Sequence, residues 1–381
     1  MVTRAVPYHV TAAADGSPVA ETDDAVRVDL ADAPAELWFP RSAVVAGALD
    51  RLARGTWREG TGELAGHVAF DPEQVDVTVI DGRPGDDERD VTTKRFPTWG
   101  DATDLYEVLD VRPESDTRYV SVARAVAHRP VVEASQILGQ TIVAASRHAP
   151  GRRVVSASMV FPRAADARQP YVIDLDPITH GRSFTALSAR ATQGERTCAA
   201  GTLLLDVTAD DVIRHADPMP DVPGPYESEP FDMGVTGRDL RIVDAAYTGD
   251  PDAPLGPPVL DTWVRFRDVP DDQALHAGLL AQYTGHMSIA ASMRPHAGIG
   301  QEQAHVTLST GINAIAISLH ADVQADRWML YHHRSTFAGD GMTHAECRVY
   351  TEEGALVASF TVDAMVRGFA DPSKADKRVG L

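Results

Sequence analysis

Apolar and polar residues alternate clearly in Val75-Asp76-Val77-Thr78-Val79-Ile80, which predicts a strand with its valines on one buried face and its polar residues in water. Residues 8–12, 25–30 and 35–39 carry β-branched or aromatic side chains between turn signals and predict further short strands. From Asp81 to Asp90 charges mix with Gly82, Pro84 and Gly85; such a stretch can bury nothing and reads as a linker. The period then changes. Between Glu133 and Arg147, the residues Ala134, Ile137, Leu138, Ile142 and Ala145 fall on one stripe and predict a helix. Gly139 inside it costs about 1 kcal/mol relative to alanine unless something packs closely there. Strand patterns flank this helix at 119–123, 154–161, 171–175, 183–193 and 197–207, and Gln193-Gly194-Glu195 supplies a hairpin turn between the last two.

Residues 209–258 are acidic and studded with Pro218, Pro220, Pro223, Pro225 and Pro230, the pattern of an extended surface crossover. The earlier order then returns. A strand at 263–266 and a helix over 272–293 precede strands at 313–321, 328–333, 344–351 and 356–366. Gly181 and Gly341, Gly194 and Gly354, and the strands at 154–161 and 314–321 all keep an offset of 160 residues. Conserved order and spacing point to two fused copies of one helix-plus-strands unit, packed edge to edge. The expected class is α+β: a small mainly-β domain (1–80), a linker (81–103), the first copy (104–210), a Pro-rich crossover (211–259), the second copy (260–370) and a tail (371–381).

Composition narrows the partners. Lys+Arg number 35 against 55 Asp+Glu, a net charge of −20, which repels phosphate backbones and anionic lipid and argues against nucleic acid or membrane as partner. No 18-residue apolar run exists and the opening Met1-Val2-Thr3-Arg4 lacks a signal peptide's apolar stretch, so a cytoplasmic protein is expected. Cys198 and Cys347 lie in apolar, strand-like stretches and read as buried free thiols. His332 and His333 are adjacent on a strand and point to opposite faces, and no ligand spacing for a metal is present. No phosphate-binding glycine loop follows a strand, so no bound cofactor is expected.

The repeated unit looks like a hotdog fold, in which a curved antiparallel sheet wraps a central helix. Its details resemble the type II (TesB-like) acyl-CoA thioesterases, which are double hotdogs. Gln136-Ile137-Leu138-Gly139-Gln140 is similar to that family's first-helix GQxxGQ motif, with Ser135 standing where the motif has a glycine. Trp263-Val264-Arg265, Val269-Pro270-Asp271-Asp272 and His276 to Leu280 resemble the approach to the second helix, and Arg294-Pro295-His296 the Gln-Pro-His beyond it. Trp328-Met329-Leu330-Tyr331 and Gly354-Ala355-Leu356-Val357-Ala358-Ser359 resemble the WLLY and GxLVAS strands. The resemblance runs from about Asp104 to Gly368. The N-terminal block resembles a small all-β bacterial domain of unknown function through Trp38-Phe39-Pro40-Arg41-Ser42 and Gly66-His67-Val68-Ala69-Phe70-Asp71-Pro72, but lacks its Cys-Pro-Tyr-Lys-Gly stretch. A docking or structural module is the expectation.

The resemblance implies an acyl-CoA or another acyl thioester as ligand, and an Asp, a Ser or Thr and a Gln that together orient a water at the thioester carbonyl. The motifs place those positions at Gly285, Ile312 and Val362, none of which can take a proton or donate to an oxyanion. Hydrolysis is therefore expected to be weak or atypical, with His286, Thr310 and Asp363 as substitute carriers in the second half. Asn313 and Asp363 would serve only if a bulge turned them inward. The first half offers a separate set, His128, Glu133 and Gln136, whose loop histidine and helix acid have the order seen in hotdog dehydratases. Arg152, Arg153, Arg163 and Arg168 are the cations that could meet CoA phosphates. A non-catalytic acyl-binding protein is the alternative, a (de)hydratase the third reading, and a homo-oligomer is compatible with all three.

Overall fold

Two antiparallel helices set the centre of the molecule. The first, Ala134–His148, buries Ile137, Leu138, Ile142, Val143 and Ala145 and is covered on nearly every side. The second, Gln273–Tyr283, is capped by Asp272, whose side chain accepts from the Ala274 amide at 2.9 Å. They cross at a pair of glycines. A Cβ at Gly139 would lie 2.6 Å from the Gly278 carbonyl oxygen, and one at Gly278 would lie 2.8 Å from Val143. Gly139 is thus the close approach that its helix position required. The structure is a computed structural model that describes residues 2–30, 35–82, 86–96, 102–123, 131–245 and 252–369.

An antiparallel sheet of thirteen strands among the described residues wraps this pair. One half runs Arg118–Val120, Val172–His180, Phe184–Gln193, Arg196–Asp206, Arg153–Val160. The other half repeats the order from its own edge inward: Val259–Phe266, Met329–Gly339, Met342–Thr351, Leu356–Gly368, Leu308–Leu319. The halves meet where Arg153–Val160 pairs with Leu308–Leu319, from Ser156 opposite Ser318 to Val160 opposite Ala314. Gly181 and Gly341, and Gly194 and Gly354, occupy matching turns, so the 160-residue offset marks a real structural repeat and the fold is the double hotdog expected from the sequence. Cys198 and Cys347 are free and buried in its core. Among the described residues no helix is long and apolar enough to cross a membrane.

The N-terminal domain is two small sheets around Val10, Phe39, Val68 and Val79. Its strand Asp76–Asp81 buries Val77 and Val79 as alternation predicted, but Asp81 is buried on the same face. Two expected boundaries need correction here. The stretch assigned as a linker contains the strand Thr92–Arg95, paired with Asp76–Asp81, and the Pro-rich crossover contains Arg238–Ile242, paired with Val259–Phe266. Polarity hid both, because Lys94 and Asp239 are buried among partners supplied by other elements. Lys94 Nζ donates to the carbonyls of Val235 and Arg238 at 2.5 and 2.9 Å and lies 3.3 Å from Asp81, whose carboxylate accepts from the Gly237 amide at 3.0 Å. Alongside, Arg265 pairs with Asp239 at 2.7 Å and Asp90 at 3.1 Å, while Arg267 pairs with Asp239 at 3.0 Å and with Asp86. A second seam joins Arg4 and Arg27 to Asp104.

Two outcomes follow from this packing. Gly139→Ala should gain about 1 kcal/mol of helix propensity but lose more to overlap with Gly278, for a net loss of about 1–3 kcal/mol in urea unfolding. A net gain would show that the helices separate freely. Lys94→Met removes the cation beside the buried Asp81 carboxylate and should cost about 3–5 kcal/mol, whereas Lys94→Met combined with Asp81→Asn should cost clearly less. Equal losses for the single and double variants would assign the effect to packing instead of charge.

Candidate functional site

The second helix does not continue to residue 293 as its periodicity predicts. It stops at Tyr283, and a separate turn, Ser288–Met293, follows a bend. Thr284 Oγ1 donates to the Ala281 carbonyl at 2.6 Å, and Met287 adopts a left-handed φ of 68°. The side-chain bond and the positive φ both divert the backbone from the helical ladder. The bend carries Gly285 and His286 against the N-terminus of the first helix, where Glu133 is the capping residue and Ser135 lies in the first turn.

Between this junction and the strand Leu308–Leu319 lies a cavity of about 720 Å³. Glu133, Ser135, Gly285, His286, Thr310 and Ile312 all line it. One member of the first-half set, Glu133, and two of the second-half set, His286 and Thr310, thus line the same cavity: Glu133 Oε2 lies 3.6 Å from His286 Nε2 and accepts from Gln282 Nε2 at 3.1 Å. Position 285 faces Ser135 so closely that a Cβ there would meet the Ser135 hydroxyl at 2.4 Å. The serine on one helix fills the space that a side chain on the other would need.

Thr310 keeps the facing of Ile312, two residues on, and its hydroxyl lies 3.4 Å from His305 Nε2. A bulge falls between Ile312 and Ala314, where the ladder passes from Ile312 opposite Ala364 to Ala314 opposite Asp363. This is the irregularity that Asn313 required, and Asn313 does line the cavity. The bulge does not help Asp363. That carboxylate is half exposed, 2.7 Å from His344, and does not line the cavity. Val362 is buried in the core instead of the cavity, and Gln136 sits beside Tyr171. His128 lies outside the described residues.

Electrostatics set the protonation state of His286. Burial, then the nearby Arg238 cation, push its pKa well below the usual imidazole range, so the ring is neutral at pH 7. The ring rests 5.0 Å from Tyr283, over which the Arg238 guanidinium lies at 5.3 Å. Arg238 is itself buried, and its Nη1 lacks a hydrogen-bond partner. Sequence reasoning missed Arg238 because it sits in the stretch read as a crossover. It missed His305 because nothing in the local pattern marks a turn histidine. Of the four arginines considered for CoA phosphates, Arg152 is occupied by the carbonyls of Gly181, Arg182 and Ser183, and Arg168 by Asp166. Arg163 remains at the cavity lining. Among the described residues no three of His, Cys, Asp or Glu converge in a way that could hold a metal ion.

Known proteins share this architecture. Residues 128–205 match the family model for the acyl-CoA thioesterase N-terminal domain, and residues 214–366 match that for the acyl-CoA thioesterase C-terminal domain. Acyl-CoA thioesterase 2 of Haemophilus influenzae is 22% identical over 252 residues, covering 61% of this chain and 86% of the relative. Human acyl-coenzyme A thioesterase 8 is 23% identical over 266 residues, covering 61% and 79%. Among solved structures, a tesB protein of Mycobacterium avium subspecies paratuberculosis superposes with a TM-score of 0.60 at 20% identity, covering 70% of this chain and 99% of its own. The acyl-CoA thioesterase II TesB2 of Mycobacterium marinum gives 0.58 at 25% identity over 70% and 99%.

The buried imidazoles around the bend generate an acid-lability prediction. His333 is fully buried, 3.2 Å from the Ser288 hydroxyl, and burial, then the charges of His332 and His286, pull its pKa down to about 3 from 6.5. A base whose folded pKa is depressed has no pH-dependent effect above its unfolded value. Below it the unfolded chain alone takes up the proton, so stability is lost as pH falls from about 6.5 toward 3. The loss is about 1.4 kcal/mol per pH unit for His333, and His286 adds in the same direction. Urea unfolding at pH 7, 6, 5 and 4 should show this slope, and His333→Phe should flatten it. An unchanged slope in that variant would mean that other groups carry the acid sensitivity.

Proposed function

The chain belongs to the type II (TesB-like) acyl-CoA thioesterase family, and from that premise we propose that it binds an acyl thioester in the cavity at the helix junction and hydrolyses it only weakly. What supports this reading is the state of the three positions that the motif resemblance aligns with the family's water-orienting groups. Gly285 and Ile312 line the cavity without a polar side chain, and Val362 is sealed in the core. Aliphatic groups cannot accept a proton from water or stabilise the oxyanion that forms on the thioester carbonyl. The cavity itself is intact and partly apolar, with Val132, Ile137, Phe161, Met233, Ile289 and Ile312 among its walls, a surface suited to an acyl chain. Arg163 beside it supplies a cation for the phosphates of CoA. What hydrolysis remains must come from other polar groups of the cavity, His286 and Thr310 foremost.

Two assays test this. A non-hydrolysable acyl-CoA thioether should bind in calorimetry, while thiol release from straight-chain acyl-CoAs should run about 10²-fold or more below the rate expected with a general base in place. Absence of binding at every chain length would overturn the acyl-thioester reading. Rapid hydrolysis unaffected by His286→Ala and Thr310→Ala would overturn the reading of a replaced site. Restoring the family set has a steric precondition: with Ser135 in place an aspartate at 285 overlaps its hydroxyl. Gly285→Asp, Ile312→Thr and Val362→Gln should therefore raise turnover more with Ser135→Gly than without it.

A further inference from the structure

Resting on that reading, we propose that Glu133 and His286, drawn from opposite halves of the molecule, form the carboxylate–imidazole pair that activates water for the residual hydrolysis. His286 is about nine-tenths buried, and its Nε2 has no hydrogen-bond partner, although leaving a buried ring nitrogen unpaired is costly. The Glu133 carboxylate lies 3.6 Å from that nitrogen, held by Gln282 at 3.1 Å. A shift of about 0.7–0.9 Å would close the gap to a charge-assisted hydrogen bond of ordinary length.

The pairing fixes the tautomer. With Nε2–H directed at the carboxylate, Nδ1 carries the lone pair. The adjoining Ser135 hydroxyl occupies the space from which an acid at 285 would act, so the site retains a carboxylate by taking it from the other helix. His286 is then the catalytic residue and Glu133 a positioning residue.

The step balances without a further reactant. Nδ1 of His286 takes a proton from water as the water oxygen bonds to the thioester carbon, and the carbonyl electron pair moves onto oxygen. Collapse of that intermediate breaks the carbon–sulfur bond, and the departing thiolate receives the proton from His286. Glu133 stays ionised throughout and stabilises the transient imidazolium, the role of the carboxylate in a serine–histidine–carboxylate triad.

The experiment uses the full chain, thiol release for turnover and the acyl-CoA thioether for binding. Wild type should release thiol measurably above buffer. His286→Gln and His286→Ala should each lower kcat about 10²-fold or more. Glu133→Gln should lower kcat about tenfold or more while KM and thioether affinity stay within about twofold, a split that loss of structure would not give. The double variant Glu133→Gln/His286→Ala should be no slower than His286→Ala alone, because the two act as a unit. Wild-type kcat in either single variant, or losses that multiply in the double variant, would overturn the pairing. So would thioether binding without any turnover, which would leave the acyl-binding reading standing. Loss of all thioether binding in wild type would instead remove the reading on which the proposal rests.

Discussion

The contact between Gly139 and Gly278 is the constraint from which the arrangement of the site descends. Two helices can run antiparallel with their backbones touching only where neither carries a side chain, and here a Cβ on Gly139 would come within 2.6 Å of the Gly278 carbonyl oxygen. Because the helices are antiparallel, the N-terminus of the first meets the C-terminal bend of the second, bringing Glu133 to His286. At the opposite end the same rule brings Arg147 within 3.8 Å of Asp272, and that junction is closed by the Arg147–Asp110 ion pair. One pseudo-symmetric frame thus yields one open cavity and one sealed end.

Much of this frame was legible in the chain before any coordinates. Strands that alternate cleanly, such as 75–80, and turns fixed by glycine, such as Gly181 and Gly341, appear where local chemistry puts them. What failed was polarity used as a sign of exposure. Arg238–Ile242 is buried at every position although it contains two arginines and an aspartate: Asp239 is neutralised by Arg265 and Arg267, and Arg241 donates to the carbonyls of Ser228 and of Arg89, 152 residues earlier. Local pattern cannot see a charge whose partner lies more than a hundred residues away. The helix over 272–293 failed differently, since its break at Met287 depends on a left-handed residue and a hydroxyl–carbonyl bond that hydrophobic period does not encode.

The site shows the same limits. Reading each half alone produced two partial sets, His286 with Thr310 and Glu133 with Gln136, because no periodicity connects residues 149 positions apart through Gln282 or 153 apart through His286. The bulge at Asn313 had to be supposed, and only the ladder shows that it lies between Ile312 and Ala314 and leaves Asp363 outside. The reciprocal fit of Ser135 and Gly285 was equally invisible: each is unremarkable alone, and their relation is one of shared volume.

The ionic seam beneath the N-terminal domain bears on how the polypeptide emerges from the ribosome. Lys94 finds its carbonyl partners 141 and 144 residues later, and Asp90 meets Arg265 only after 175. At a synthesis rate of about 5–20 residues per second, those charges wait on the order of 10–30 seconds for their partners. During that interval Lys94 and Asp81 lack the backbone groups of Val235, Arg238 and Gly237 that they meet in the folded protein, and cannot be buried against the double hotdog. Its final closure is therefore timed by translation of the Arg238–Phe266 region, so a domain made before the double hotdog is locked only after it.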